Sequence, residues 1–179
     1  MIMSKHILIH TCCAPCLCYP YKILTKDYKV TGYWYNPNIH GYREYEKRLM
    51  TAGYYSKLTG VDLIIDDYSP SNWLKNIGDF SKEKRCVTCY RNRLEKTVLT
   101  AQKKNINFFT TTLLYSKFQD HNAIKNIGVQ LSKKYKPDFF YQDFRQGWKE
   151  GINISKKLKL YRQEYCGCLL SEQERYGVS

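Results

Sequence analysis

Acidic residues are scarce in this chain. Sixteen Asp and Glu stand against 29 Lys and Arg, a formal net charge of +13. Such a surplus on a small body favours a polyanionic partner, of which nucleic acid is the commonest. Long apolar runs are missing too, since nothing approaches the ~18 to 20 residues of a membrane span. The opening stretch MIMSKHILIHTCC passes from a short apolar HILIH straight into cysteines, without a signal-peptide cleavage pattern. Proline is held to five residues while hydrophobic residues reach 43%, which is not the composition of a disordered chain. Repeats, low-complexity tracts and linkers are absent. G-x-x-x-x-G-K-[ST] occurs nowhere, and neither does a flavin or nicotinamide fingerprint. These absences leave a soluble, cytoplasmic protein of 179 residues, sized for one domain with a sizeable core.

Cysteine is what the chain has in excess. Eight thiols are many for a reducing compartment, where clustered cysteines mean metal or redox chemistry rather than disulfides. They fall in three groups: Cys12, Cys13, Cys16 and Cys18 in TCCAPCLC, Cys86 and Cys89 in CVTC, and Cys166 and Cys168 in YCGC. Seventeen tyrosines, three tryptophans and seven phenylalanines offer faces on which bases could stack, although most aromatics in any domain are core.

Strand-like and helix-like segments alternate. Apolar or β-branched runs at 6–10, 30–35, 61–65, 108–114 and 139–144 predict five strands. Helical spacing predicts helices over 14–26, 42–58, 69–77, 87–103, 121–135 and 155–160. Helices between strands give an α/β fold: a mainly parallel sheet of about five strands covered on both faces. One domain is expected over 1–179, with a basic, cysteine-containing C-terminal segment at about 145–179 packed on it. Ligands of such sheets lie beyond the carboxyl ends of the strands. Cys12 and Cys13 after the first strand, Asn36 and Asn38 after the second and Asp143 after the fifth should therefore share a rim.

Scattered core thiols would not group as four, two and two. Paired C-x-x-C knuckles suit structural zinc, but adjacent Cys12-Cys13 and the tight C-G-C are awkward around one small ion. A wider iron–sulfur cluster accepts ligands from separate loops, and the ferredoxin run of closely spaced cysteines is absent. The loop after the first strand also carries thiols where a phosphate-binding loop needs glycines, which argues against ATP chemistry.

HTCCAPC, NPNIH followed by REYEKR, CVTCYRNRLEKT, TTTLLYSKFQDHNAIKNIG, FYQDFRQGW and LYRQEYCGCLLS follow one another in that order. Together they closely resemble the QueH family of epoxyqueuosine reductases, over nearly the whole chain. The resemblance implies a fold like the nucleotide-binding α/β hydrolase (HUP-like) group. It implies reduction of the epoxide of epoxyqueuosine in the tRNA anticodon loop, with a [4Fe-4S] cluster and a nearby mononuclear iron. Cys12, Cys13, Cys86 and Cys89 match the family's metal-centre cysteines, and Asp143 is the natural carboxylate for the second metal. Cys166 and Cys168 match its C-G-C pair, and with Cys16 they are candidates for a redox pair or further ligands. Cys18 stands outside the usual pattern.

Turning an epoxide into an alkene consumes two electrons and two protons and releases water. An external one-electron donor such as ferredoxin or flavodoxin is implied. Asp143, Tyr141 and a thiol such as Cys13 are the candidates for proton delivery; otherwise Asp143 is a helix N-cap. Arg85, Arg91, Arg93, Lys156, Lys157 and Arg162 flank the metal motifs and are candidates for RNA contact, unless they are solvated helix faces. Asn36 and Asn38, with Trp34 and Tyr35, could receive the modified base, or simply form a turn. His40 and His121 read as structural or surface residues, and Arg43, Glu44 and Arg48 as pairs along one helix. Two other classes stay open: a non-catalytic, zinc-stabilised RNA-binding protein and a thiol-disulfide oxidoreductase.

Overall fold

The structure, a computed structural model, describes residues 5–177; residues 1–4 and 178–179 of the expected single unit lie outside that range. Ile7, Leu8 and Ile9 are fully buried and form the centre of β1 (Lys5–His10). Around it run β2 (Tyr28–Trp34), β3 (Asp62–Ile65), β4 (Phe108–Thr111) and β5 (Asp138–Phe139), in the order β3-β2-β1-β4-β5. Every pairing is parallel. The chain winds from β1 to one edge and then returns to build the other. The gap beyond the carboxyl ends of β1 and β4 is therefore the topological switch point, where open α/β sheets place their ligands.

Crossover helices cover the sheet: α1 (Ala14–Leu24), α2 (Tyr42–Thr59), α3 (Pro70–Ile77), α4 (Lys82–Lys103) and α5 (His121–Lys134). Two more, α6 (Trp148–Lys157) and α7 (Leu169–Tyr176), follow the last strand. Helix α4 shows how one periodicity serves two purposes. Its buried stripe reads Arg85, Cys89, Tyr90, Arg93, Leu94, Thr97, Val98 and Ala101, polar toward the start and mostly apolar toward the end. The apolar half joins the main core with β1 and β4.

The helix expected at 155–160 runs instead over Trp148–Lys157, and three further boundaries differ, each for a local reason. Helix α4 begins at Lys82 rather than 87, so CVTC lies inside a helix, where i and i+3 share a face. Strand β4 stops at Thr111, whose hydroxyl accepts the Leu113 N–H at 3.1 Å and starts a 3-10 turn, Thr112–Tyr115. Strand β5 is only two residues long, not 139–144, and a second 3-10 turn occupies Phe144–Gly147. Asp143 thus stands four residues past the strand rather than at its end. Among the described residues no helix is long and apolar enough to cross a membrane.

Candidate metal centre

His10 pairs with Thr111 in register, which sets the loops after β1 and β4 side by side. The Thr112 hydroxyl accepts the Cys12 N–H at 3.0 Å and donates to Cys12 Sγ at 3.2 Å. One residue on, Cys13 caps α1, its sulfur accepting the Cys16 N–H at 3.3 Å. Pro15, in the first turn of that helix, has no N–H to leave unpaired. The sulfurs of Cys12, Cys13 and Cys16 consequently lie within 4.8 Å of one another. Hydrogen bonds from the thiols of Cys13 and Cys16, against the opposing effect of burial, push the Cys12 pKa well below the usual thiol value. Burial pushes Cys13 well above it, and hydrogen bonding to Cys12 does the same for Cys16.

Cys12 and Cys16 open into a cavity of about 840 Å³, while Cys13 lies buried behind them, outside its lining. Cys12 and Cys16 line its sheet side, Cys86 and Cys89 come from α4, and Cys166 and Cys168 come from the C-terminal segment. All eight cysteines are free. Between the walls lies Arg93, 1% exposed, which donates from Nε to the Cys89 carbonyl at 3.2 Å and leaves Nη2 without a partner. Burial opposes its charge, but Cys89, Cys166 and Cys12 outweigh that and raise its pKa. A buried guanidinium facing thiols, with a spare donor, fits a cavity that holds negative charge. The thiol set and this cation together fit a metal–thiolate group.

Gln163 donates to Cys13 Sγ at 2.8 Å and its buried Oε1 has no partner. Asn38 lines the cavity with a buried, unpaired Oδ1, whereas Asn36 lies outside the lining, its amide N–H donating to the Thr11 carbonyl at 2.9 Å and its Oδ1 also unpaired. Arg48, expected on an exposed helix face, is 2% exposed. It donates to Glu44 at 2.6 Å and to the carbonyls of Cys166 and Tyr165 at 2.9 and 3.2 Å, anchoring the C-G-C segment. Gly167 fits there because its φ of +131° is open to glycine and a Cβ would press on Ile39 and Arg48.

Several expected site residues stand elsewhere. Asp143 does not line the cavity. It caps the second 3-10 turn and is paired with Arg145 at 2.6 Å, whose hydrogen bonds hold its pKa at about 2. Tyr141 is likewise outside the lining, its ring 4.7 Å from Lys125 Nζ. Cys18 donates to the Ala14 carbonyl at 3.4 Å, and burial pushes its thiol up to about 12. Trp34 is buried against Tyr45 and presents no face to a base. Arg85 and Arg93 line the cavity but are buried. Arg91, Lys156, Lys157 and Arg162 are exposed and lie outside the lining. His40 and His121 are both buried; His40 Nδ1 accepts the Leu169 N–H at 3.2 Å and holds the start of α7. Arg48, Gln163 and Thr112 were missed. All three lie within the motifs REYEKR, TTTLLYSKFQDHNAIKNIG and LYRQEYCGCLLS, and the i, i+4 spacing of Glu44 and Arg48 was a further signal for one of them.

Residues 7–174 match the protein family described as epoxyqueuosine reductase QueH. Among curated proteins the chain is similar to the epoxyqueuosine reductase QueH of Dehalococcoides mccartyi, 35% identical over 98% of this chain and 97% of that one. It is 36% identical to the Thermotoga maritima protein of the same name, over 94% and 91%. With that of Haemophilus influenzae it shares 37% identity over 92% and 71%. Among solved structures it resembles the U34-tRNA thiolase NcsA of Methanococcus maripaludis with its [4Fe-4S] cluster, with a TM-score of 0.55. That likeness, at 13% identity over 96% of this chain and 64% of the other, is one of fold.

Proposed function

This chain belongs to the QueH family of epoxyqueuosine reductases, and on that basis we propose that it reduces the epoxide of epoxyqueuosine in tRNA to the alkene of queuosine. The observation that carries the reading is the convergence of six cysteines from three distant segments on one cavity at the sheet's switch point. A zinc knuckle or a dithiol pair needs fewer. The reaction opens two C–O bonds, forms one C=C bond and releases water, taking up two electrons and two protons. The electrons would come from an external one-electron carrier of the ferredoxin or flavodoxin class, and clustered, unpaired thiols suit the reducing conditions of the cytoplasm.

The residues that would hold a [4Fe-4S] cluster are Cys12, Cys13 and Cys16, with a further thiolate from Cys89, Cys86, Cys166 or Cys168 across the cavity. Bound there, the cluster would supply electrons singly. A second, mononuclear iron would lack its expected carboxylate, since Arg145 occupies Asp143; no step is assigned to it. The chain's own contribution is electrostatic and positional. Arg93 offers an unused Nη2 donor to an oxygen gaining negative charge, as a fixed donor in a water-poor site does. Asn38 and Gln163 offer unpaired amide oxygens to the hydroxyl and N–H groups of the modified nucleoside. Burial keeps the Cys166 thiol at about 12, so before metal binding it is a neutral S–H beside the Gln119 amide, 4.0 Å away.

The test is anaerobic incubation of the purified protein with a one-electron reductant and tRNA carrying the epoxide. Digestion to nucleosides and mass spectrometry should show loss of one oxygen. A brown, iron-replete preparation that leaves the nucleoside unchanged would overturn the proposal.

A further inference from the structure

The cavity's mouth carries an aromatic step that the reductase chemistry does not use. Tyr115, 3% exposed, stacks on Trp148 with ring centroids 5.1 Å apart and planes at 26°. Its hydroxyl donates to the Trp148 carbonyl at 2.8 Å. Gly151 leaves room for that hydroxyl, where a Cβ would collide with it. Trp148 is half-buried and lines the cavity. Phe118 meets it edge-on, with centroids 6.0 Å apart and planes at 78°.

Phe118 also lines the cavity, yet it is 83% exposed, more than any other large hydrophobic side chain described. Its loop is not slack: the Phe118 N–H donates to Ser116 Oγ at 3.2 Å, and Asp120 caps α5 two residues later. An ordered turn thus presents a phenyl ring to solvent beside a half-buried indole. Lys117 Nζ sits 5.5 Å from that indole's centroid, and exposed Lys149 follows Trp148 in α6. A ring flanked by cations is the arrangement that takes a nucleobase on its face and the adjoining phosphates on its lysines. Trp34, expected to meet a base, is buried; of the other aromatic residues in the lining Trp73 and Tyr90 are buried and Tyr165 is engaged by Tyr176 and Arg48, so the step is the aromatic surface most open to solvent.

We infer that Phe118 and Trp148 form a stacking platform for a base adjoining the modified nucleotide, holding the anticodon loop open while the modified base enters the cavity. The inference rests on the tRNA-reductase reading and goes beyond it by assigning the contact for the neighbouring nucleotide. One occupant is meant: a single unstacked base of the substrate RNA. The net charge of +13 and continuity with the thiol-lined cavity favour it over an apolar peptide.

The experiment uses iron-replete protein and an anticodon stem-loop RNA carrying epoxyqueuosine. Binding is followed by fluorescence anisotropy and turnover by mass spectrometry. Phe118→Ala should weaken binding about tenfold, within the range of base–aromatic stacking, and raise KM rather than lower kcat. Iron content and melting temperature should match the parent, and Phe118→Trp should restore affinity. Making the nucleotide on one side of the modified base abasic should weaken the parent about as much and Phe118→Ala hardly further. Binding by Phe118→Ala within twofold of the parent would overturn the platform, as would equal losses for both proteins with either abasic RNA. Failure of the parent itself to reduce the RNA would instead refute the reductase reading.

Discussion

The two sides of the thiol cavity are built in opposite ways. On the sheet side, Cys12 and Cys13 sit between β1 and α1 and Cys16 in the first turn of α1, all next to the main apolar core, with hydrogen bonds to backbone and to Thr112. On the far side, Cys166 and Cys168 precede α7, a helix that buries none of its own residues. That side is held by a few polar fastenings: Arg48 to two carbonyls, His40 to the backbone of Leu169 and Gly167, and Glu174 to Arg85. The sheet side inherits the stability of the whole fold, whereas the C-terminal side has only local stability. The same cavity therefore has one fixed wall and one that can be loosened separately.

The largest effect should come from the fixed wall. Cys12→Ala removes one of the three grouped sulfurs, the one that Thr112 holds at the cavity lining, and should reduce iron in anaerobically purified protein to background, with turnover lost. Cys166→Ala should leave a substantial fraction of the iron, because the three sheet-side thiols remain grouped. Iron analysis and visible absorption check both. Equal iron in the two variants would erase the distinction between the walls.

Next in size is Arg48→Met, which loosens the other wall without touching a thiol. It leaves two carbonyls of the C-terminal segment without their donor and Glu44 with only the Tyr161 hydroxyl, at 2.8 Å. Removing one partner of a buried ion pair costs about 3 kcal/mol or more. Urea unfolding should show a loss of that order, with proteolysis first at the segment around Cys166. A loss below about 1 kcal/mol would mean that other contacts hold the segment.

A smaller effect separates structural from functional thiols on the sheet side itself. Cys18 lies one helical turn from Ala14, bonded to its carbonyl and facing Tyr55, outside the cavity lining. Cys18→Ala should cost about 1 kcal/mol, as small core truncations do, and leave iron content at the parent's level. Loss of iron in this variant would return Cys18 to the ligand set.

What the sequence disclosed follows the same division. The fixed wall was legible because it depends on local signals: an apolar strand, a proline in the first turn, thiols in the strand-to-helix loop, and a parallel fold that puts such loops at one rim. The extent of β5 was not. Its ladder ends because Phe140 makes the last bond, to the Phe109 carbonyl at 2.9 Å, a limit set by the neighbouring strand. That error carried Asp143 into the expected site, where an Asp two residues before an Arg at a turn instead forms a cap and an ion pair. The loose wall was hidden for a different reason. Arg93 read as an RNA contact and Arg48 as one of a pair along its helix; Arg48 is buried by its bonds to the carbonyls of residues 165 and 166, and Arg93 by the cavity walls around the inner face of α4. Helix α7 was missed altogether: it is eight residues long with no fully buried position, and half-buried Leu170, packed by Trp73 and Cys168, leaves too few apolar positions for a period to stand out.

The smallest expected change sharpens that last point. Glu174 is 41% exposed while Arg85, its partner, is 6% exposed, so solvent screens much of their attraction and the pair is worth no more than about 1 kcal/mol. Arg85 would keep its bond to the Phe80 carbonyl at 3.1 Å, so Glu174→Gln leaves the guanidinium partly satisfied. The global unfolding midpoint should hardly move, because α7 touches the small cluster around Trp73 through half-buried Leu170 and has no part in the main core. Amide exchange within 169–177 should quicken severalfold, as expected when a local opening free energy falls by a few tenths to one kcal/mol. Exchange in β1 and α1 should be unchanged. If α1 quickened as much as α7, the walls would open as one cooperative unit and the division between them would be wrong.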